Sequence, residues 1–235
     1  MVPELSIVIP TLNEAEVLPW LLADLAAQAG IALEVLVSDG GSTDGTPALA
    51  ATALAGHQLA GSVLSGPAGR GRQLNRGAAR ARGEWLLFVH ADSRLPEPAA
   101  LAQALATLRR EGDPRLAGRF ALRFDLPGAA REFGYYLCEV KARLDLPGTT
   151  HGDQGILLPR AFFRELGAAL LYYRAPSGMP DASIPHTQRK RAHEENSHQP
   201  GCIGIHFGKR FHVRAGQEGR EKGHEEGRKG RVEGR

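Results

Sequence analysis

The sequence lacks the features that mark disulfide-rich, zinc-binding and membrane-spanning proteins. It has only two cysteines, Cys138 and Cys202, and their separation fits neither a disulfide framework nor a zinc-binding pair. No stretch approaches the roughly 18 consecutive apolar residues of a spanning helix, and residues 1–10 do not resemble a signal peptide. These absences predict a cytoplasmic chain, compatible at most with peripheral association at the inner face of the plasma membrane.

A strong charge of one sign is also missing. The chain has 29 Lys and Arg residues against 26 Asp and Glu residues, which gives a formal net charge of +3. This near balance does not indicate a nucleic-acid partner, and the arginine-rich segment 69–82 lacks the interleaved aromatic residues of an RNA-binding surface. We therefore expect no nucleic acid among its partners.

Apolar strands alternate with helical patterns through the first two thirds of the chain. Strands are predicted at Leu5–Pro10, Leu33–Ser38, Gly61–Ser65, Glu84–Val89, Leu116–Phe124 and Gly155–Leu158, and helices at Glu14–Ala29, Asp44–Gly56, Arg70–Arg82, Glu97–Glu111, Ala130–Leu144 and Pro159–Gly167. This alternation predicts an α/β fold with a Rossmann-like, doubly wound, mostly parallel sheet. Functional residues are then expected at the carboxyl ends of the strands.

The composition changes near Leu171. Leucine does not occur after that residue, whereas lysine, found before it only as Lys141, occurs four times. We therefore predict two regions, a globular domain over 1–171 that is C-terminally incomplete and a basic, low-complexity, disordered tail over 172–235. The tail is either a natural extension or the product of a shifted reading frame, and the joint change in leucine and lysine usage favours the shift.

Polar residues follow three of the predicted strands, in the segments IVIPTLNE (7–14), SDGGSTDGT (38–46) and HADS (90–93). Together with Asn75 in an arginine-rich segment, they resemble the inverting family-two glycosyltransferases, which have the GT-A fold. The segment GDQG (152–155) and the histidine of HADS are similar to a bacterial subset named as arsenosugar-type or carotenoid-type glycosyltransferases. The resemblance implies transfer of a sugar from a nucleoside diphosphate sugar to a hydroxyl acceptor that the sequence does not identify.

The nucleotide-binding residues that we predict lie mainly at the first two strand ends. They are Pro10, Thr11, Asn13, Glu14, Asp39, Arg72 and Asn75. Backbone N–H groups at a helix start and arginine side chains suit a diphosphate, and the Asp39 carboxylate can accept from a ribose or base donor. The alternatives are that Thr11 or Asn13 only caps a helix, as we expect for Asp44. For Arg76, Arg80 and Arg82 we favour a solvated cationic helix face.

A divalent cation, Mg²⁺ or Mn²⁺, is the cofactor that the resemblance implies. Asp92 matches the last aspartate of the family's D-x-D motif, and His90 stands where the first aspartate is usual. Imidazole suits Mn²⁺ better than Mg²⁺, which leaves the metal preference open. The alternative is that Asp92 only caps a turn before Pro96.

The acceptor side of the site is less defined in this sequence. Gly152, Asp153 and Gln154 would face the acceptor or the diphosphate, or form only a turn. The family takes its general base from a Glu-Asp pair beyond the equivalent of Gly167, and the tail offers only Glu194-Glu195 in unsuitable surroundings. The catalytic base is thus unidentified. The alternative function is a catalytically impaired protein that binds nucleotide sugar with weak or absent transfer.

A nucleotidyltransferase acting on sugar phosphates would share this architecture. It requires a glycine-rich, lysine-bearing loop after the first strand. Residues 11–14 read TLNE at that place and contain neither residue type. The sequence therefore favours sugar transfer over nucleotidyl transfer.

Overall fold

The computed structural model describes residues 2–124, 155–167 and 203–212 of the chain. The strands are β1 (Leu5–Thr11), β2 (Leu33–Asp39), β3 (Gly61–Ser65), β4 (Trp85–Phe88), β5 (Ser93–Arg94), β6 (Leu116–Phe124), β7 (Ile156–Pro159) and β8 (Ile203–His212). The helices are α1 (Leu18–Ala26), α2 (Thr46–Gly56), α3 (Arg70–Arg80), α4 (Ala100–Glu111) and α5 (Arg160–Glu165). None of these helices combines the length and apolar character that crossing a bilayer would need.

The strands form one sheet in the order β3-β2-β1-β4-β7-β6-β8-β5. Strands β3, β2, β1 and β4 are parallel, whereas β7 pairs antiparallel with both β4 and β6. The predicted α/β fold with a doubly wound, mostly parallel sheet is confirmed. The chain moves outward from β1 to β3 and then returns to β4 on the other side of β1. Because this reversal opens a crevice at the carboxyl ends of β1 and β4, ligand binding is expected there.

The central strands are buried on both faces. Leu5, Ile7 and Ile9 of β1 belong to the core cluster that also contains residues of α1, α2 and α4, whereas Val8 faces the cluster with α3 and α5. A Cβ on Gly77 of α3 would lie 2.3 Å from Val8 Cγ1, so any larger residue would push α3 away from the sheet. The glycine therefore fixes α3 close to the strand that carries the candidate site.

A buried carboxylate lies at the amino ends of the parallel strands, at the edge of the sheet opposite the candidate site. Glu34 of β2 is 2% exposed and accepts hydrogen bonds from Ser6 Oγ at 2.7 Å, Arg82 N at 2.7 Å and Arg82 Nε at 2.9 Å. Burial raises the pKa of Glu34, but these hydrogen bonds outweigh burial and leave the pKa below its ordinary value. The Arg82 head group is thus engaged in an ion pair, although its side chain is largely exposed.

The observed elements differ from the predicted ones at helix ends, in β5 and in the tail. Helix α1 begins at Leu18 rather than Glu14, and β5 was not predicted. Strand β8 pairs antiparallel with β6 over Ile203–His212, and this pairing was not predicted. The predicted helix Ala130–Leu144 lies outside the described residues. The domain boundary near residue 171 and the shifted reading frame stay predictions.

Candidate nucleotide and metal site

The predicted site residues of the first strands meet at the carboxyl edge of the sheet. Thr11, the last residue of β1, pairs with Asp39, the last residue of β2. Strand β4 pairs with β1 as far as Val8 and Phe88, and Val89 N then donates to Val8 O at 3.2 Å. His90 and Asp92 therefore follow a strand that runs alongside β1, at the point where the strand order reverses.

The loops after β1 and β2 are joined by hydrogen bonds. Asn13 N donates to Ser42 Oγ at 2.8 Å, and Asn13 Oδ1 accepts from Thr43 N at 2.8 Å. Glu14 N donates to Thr46 Oγ1 at 2.9 Å. Asn13 also has a φ of 57°, in the left-handed region that asparagine tolerates better than most residues. The two loops thus form one rigid unit above the ends of β1 and β2.

These bonds decide between the roles considered for the polar loop residues. Helix α1 has Val17 as its N-cap, with no side-chain cap, so the alternative that Thr11 or Asn13 caps this helix is wrong. Asp44 accepts from Thr46 N at 3.0 Å at the start of α2, as expected of a carboxylate there, although the N-cap residue is Gly45. A second Asp44 oxygen accepts from Ala15 N at 3.0 Å. Asp44 therefore supports both loops.

Asp39 lies inside this unit and is 2% exposed. Its Oδ2 accepts from Gly41 N at 2.8 Å and Ser42 N at 3.0 Å, and its Oδ1 accepts from the hydroxyls of Thr11 and Ser42. Burial raises the pKa of Asp39, but the hydrogen bonds from Ser42, Gly41 and Thr11 prevail and lower the pKa below its ordinary value. The carboxylate is thus held ionised, with all four acceptor positions occupied.

Helix α3 presents its arginine-rich start beside the same edge. Arg72 is exposed and Asn75 is half-buried, as a diphosphate-binding role would allow. Arg76 is half-buried and its Nε donates to Ser38 Oγ at 3.1 Å, so the interpretation of Arg76 as part of a solvated face is wrong. Arg80 is exposed, as that interpretation expects.

Gln73 is a structural residue of the site that the sequence analysis missed. It is 4% exposed, and its Nε2 donates to Thr11 O at 2.7 Å and to Ser38 O at 2.9 Å. Its Oε1 accepts from Gly69 N at 3.2 Å. One amide therefore fixes the start of α3 to the ends of β1 and β2. The available signal was a polar residue on the helix face that also carries Leu74 and Gly77.

Replacing Gln73 with leucine is expected to lower the free energy of unfolding by about 2–3 kcal/mol, because buried backbone groups lose their hydrogen-bond partner while the side-chain volume changes little. Urea denaturation measures this loss. The matched control is Gln103→Leu, at an exposed position of α4, where we expect little change. Equal stabilities of the Gln73→Leu variant and the unmodified chain would contradict the assigned role.

His90 and Asp92 are both half-buried in the turn that follows β4. Among the residues that the structure describes, no three His, Cys, Asp or Glu side chains form a group that could hold a metal ion. One carboxylate with one imidazole nevertheless fits a cation of the Mg²⁺ or Mn²⁺ type, which takes its remaining ligands from phosphate oxygens and water. The donor set therefore suits a cation that arrives with a diphosphate.

The predicted acceptor-side residues Gly152, Asp153 and Gln154, and Glu194-Glu195 in the tail, lie outside the described residues. Gly155, the first described residue after that gap, has a φ of 64°. A Cβ there would lie 3.3 Å from Phe120 Cδ2 and 3.5 Å from Phe88 O, so the chain passes close to the end of β4 at this point.

Two curated proteins are similar in sequence to part of this chain. A PGL/p-HBAD biosynthesis glycosyltransferase of Mycobacterium bovis is 40% identical over 106 residues, which are 44% of this chain and 41% of that protein. The succinoglycan biosynthesis protein ExoO of Rhizobium meliloti is 33% identical over 91 residues, which are 39% of this chain and 26% of that protein. The chain thus spans about two fifths of the length of the first relative and about a quarter of the second.

A solved structure shares the fold over a larger part of the chain. The mannosyltransferase PcManGT from Pyrobaculum calidifontis, in complex with GDP-Man and Mn²⁺, is 27% identical with a TM-score of 0.54. The similarity covers 72% of this chain and 48% of that protein, and it confirms the GT-A type of fold. Residues 6–132 match the family described as "Glycosyl transferase family 2". Because this match covers more than half of the sequence, the chain belongs to glycosyl transferase family 2.

Proposed function

We propose that this chain binds a nucleoside diphosphate sugar at the carboxyl ends of β1, β2 and β4, and that it transfers the sugar to a hydroxyl acceptor with inversion and with the help of a divalent cation. The observation that carries the proposal is the meeting of the Thr11–Asp39 strand ends with the chain that leads to His90 and Asp92 at the switch point. The family membership and the GDP-Man and Mn²⁺ bound to the similar mannosyltransferase support it.

The joined loops would hold the nucleoside. Their exposed or half-buried residues are Pro10, Asn13 and Glu14, and Asp39 lies beneath them. Because the acceptor positions of Asp39 are filled, a ribose or base donor would have to replace the Ser42 hydroxyl on its Oδ1. Asp39 would therefore both shape the loop and bind the nucleoside.

The diphosphate would lie between the start of α3 and the turn after β4. Arg72 and Asn75 would donate to its oxygens, and Asp92 with His90 would hold the cation. When bound, the cation would neutralise the negative charge that develops on the leaving diphosphate. This cation would be Mg²⁺ or Mn²⁺, of which Mn²⁺ is the better suited to an imidazole ligand. Gly152, Asp153 and Gln154 would complete the acceptor or diphosphate side.

The alternative function is a nucleotide-sugar binding protein with impaired catalysis. The sequence observation that favours it is the lack of a Glu-Asp pair after Gly167. The hydroxyl acceptor is not assigned under either function. We also propose a cytoplasmic location, which is compatible with peripheral association at the inner face of the plasma membrane, and membership of the arsenosugar-type or carotenoid-type subset.

The test is binding of UDP, GDP and dTDP to the purified chain, measured by saturation-transfer NMR and calorimetry with Mn²⁺ and with EDTA. We expect at least one of them to bind, and to bind more tightly with Mn²⁺. Transfer or hydrolysis of the matching sugar donor then separates an active transferase from the impaired alternative. Failure of all three nucleotides to bind would contradict both functions.

A further inference from the structure

Helix α1 holds the stretch of chain that follows Asp92, although α1 itself carries none of the predicted site residues. Asp24 of α1 is 9% exposed and accepts two hydrogen bonds from Arg94, from Nε at 2.6 Å and from Nη2 at 2.9 Å. A third hydrogen bond comes from Leu95 N at 2.8 Å. This fork geometry fixes both the position and the orientation of the guanidinium.

Two further residues, one in α1 and one just after its end, extend the attachment. Gln28, which follows the end of α1, donates from Nε2 to Leu95 O at 3.2 Å and to Glu97 O at 2.9 Å. Trp20, one turn before Asp24, lies beneath Arg94, whose Cζ is 5.5 Å from the ring centroid. Arg94 is thus held by a carboxylate and an aromatic face together.

The attachment acts on a short turn. Val89 N donates to Val8 O at one end of it, and Arg94 is held by Asp24 at the other. Between them, Ser93 N donates to His90 O at 3.2 Å and closes the turn around Asp92. Strand β8 also pairs with Ser93 and Arg94, but α1 is the element that binds the Arg94 side chain and Leu95 N. Since Asp92 is only two residues from Arg94, loss of the bonds to α1 would shift the backbone that presents Asp92.

We propose that Asp24 and Arg94 are positioning residues for the cation site, because they fix the turn that presents Asp92 and His90. This inference rests on the proposed function. Neither residue would touch the cation or the substrate. Groups that orient metal ligands from outside commonly change metal affinity by about 10–100-fold when they are removed.

The test uses Asp24→Asn, which keeps the side-chain size and removes the charge. We expect the apparent Kd for Mn²⁺, measured by calorimetry with a saturating nucleoside diphosphate, to rise by about 10-fold or more. The Kd of the nucleotide in EDTA should stay within about twofold, since the nucleoside-binding loops do not contact α1 through this pair. Arg94→Lys should raise the Mn²⁺ Kd in the same direction, because lysine cannot form the fork.

The matched control is Glu34→Gln. Glu34 is a buried carboxylate that likewise accepts from an arginine Nε and a backbone N–H, but it lies at the opposite edge of the sheet. The Glu34→Gln variant should have a lower Tm than the unmodified chain but the same Kd for Mn²⁺. If Asp24→Asn does not fold, Arg94→Lys decides the question.

An unchanged Mn²⁺ Kd in the folded variants would overturn the positioning role and leave the proposed function intact. If the unmodified chain binds the nucleotide with the same Kd in Mn²⁺ and in EDTA, the cation site itself is contradicted, and the positioning role with it.

Discussion

Replacing Asp92 with alanine is expected to remove the Mn²⁺-dependent part of nucleotide binding and to lower any sugar transfer by about 100-fold or more. Asp92 supplies the only predicted carboxylate oxygen for the cation, and a bound cation provides several kcal/mol of charge stabilisation on a leaving diphosphate. Calorimetry with Mn²⁺ and with EDTA measures the first effect, and release of nucleoside diphosphate from the sugar donor measures the second.

The control for Asp92→Ala is Asp113→Ala. Asp113 is also a half-buried turn aspartate, and its Oδ1 accepts from Arg115 N at 2.8 Å just before β6. It lies at the amino edge of the sheet, so its loss should leave the Mn²⁺ effect unchanged. Retention of the full Mn²⁺ effect in Asp92→Ala would remove the central assumption of the proposed site and favour the role of Asp92 as a turn residue.

The strands of the parallel half were predictable because their signal is local. Strands β1 and β2 are rich in Val, Ile and Leu, and β4 consists of Trp, Leu and Phe. Strands that are buried on both faces require such apolar residues. Strand β3 was predicted with its observed bounds, Gly61–Ser65. Because parallel strands end at one edge, the prediction of the strands also placed Thr11, Asp39 and Asp92 near that edge.

The start of α1 could not be predicted because its cause is not local. The apolar spacing of residues 17–25 suits a helix that begins at Glu14, yet the amides of Asn13, Glu14 and Ala15 donate to side chains about 30 residues away. These bonds hold residues 13–15 outside the helix. The same reason applies to β5, whose two residues pair with Ile203 and Gly204, far along the chain.

The supporting residues of the site were missed for a related reason. Gln73 bonds to groups 35 and 62 residues away, and Asp24 pairs with Arg94, 70 residues away. In sequence each is a single polar residue among the apolar residues that its helix buries. Asp24 lies among the leucines of α1, and Gln73 lies beside Leu74, Gly77 and Ala78 of α3. A polar residue there must find a hydrogen-bond partner if it is buried, so this pattern is the usable signal for supporting residues.

Replacing Asp39 with alanine is expected to lower the free energy of unfolding by about 2–4 kcal/mol and to weaken nucleotide binding by about 10-fold or more, since buried donors lose a charged acceptor and the loops lose their anchor. Asp39→Asn keeps the side-chain shape but removes the charge, and its N–H₂ group replaces one of the two oxygens that accept hydrogen bonds from Thr11, Gly41 and Ser42. Urea denaturation and calorimetry measure the two effects.

The pH dependence of stability distinguishes the two Asp39 roles. The folded pKa of Asp39 lies below the ordinary value of 3.8, so its carboxylate stabilises the fold above that pH and loses this contribution as the pH falls through the folded pKa. The stability gap between the unmodified chain and Asp39→Asn should therefore be full at neutral pH and shrink in acid. Asp44→Asn, at an exposed neighbour, should give a smaller gap. A stability gap that does not change with pH would mean that the ionised carboxylate does not hold the loop. If the Asp39→Ala variant binds nucleotide as tightly as the unmodified chain does, Asp39 is not part of the nucleoside site.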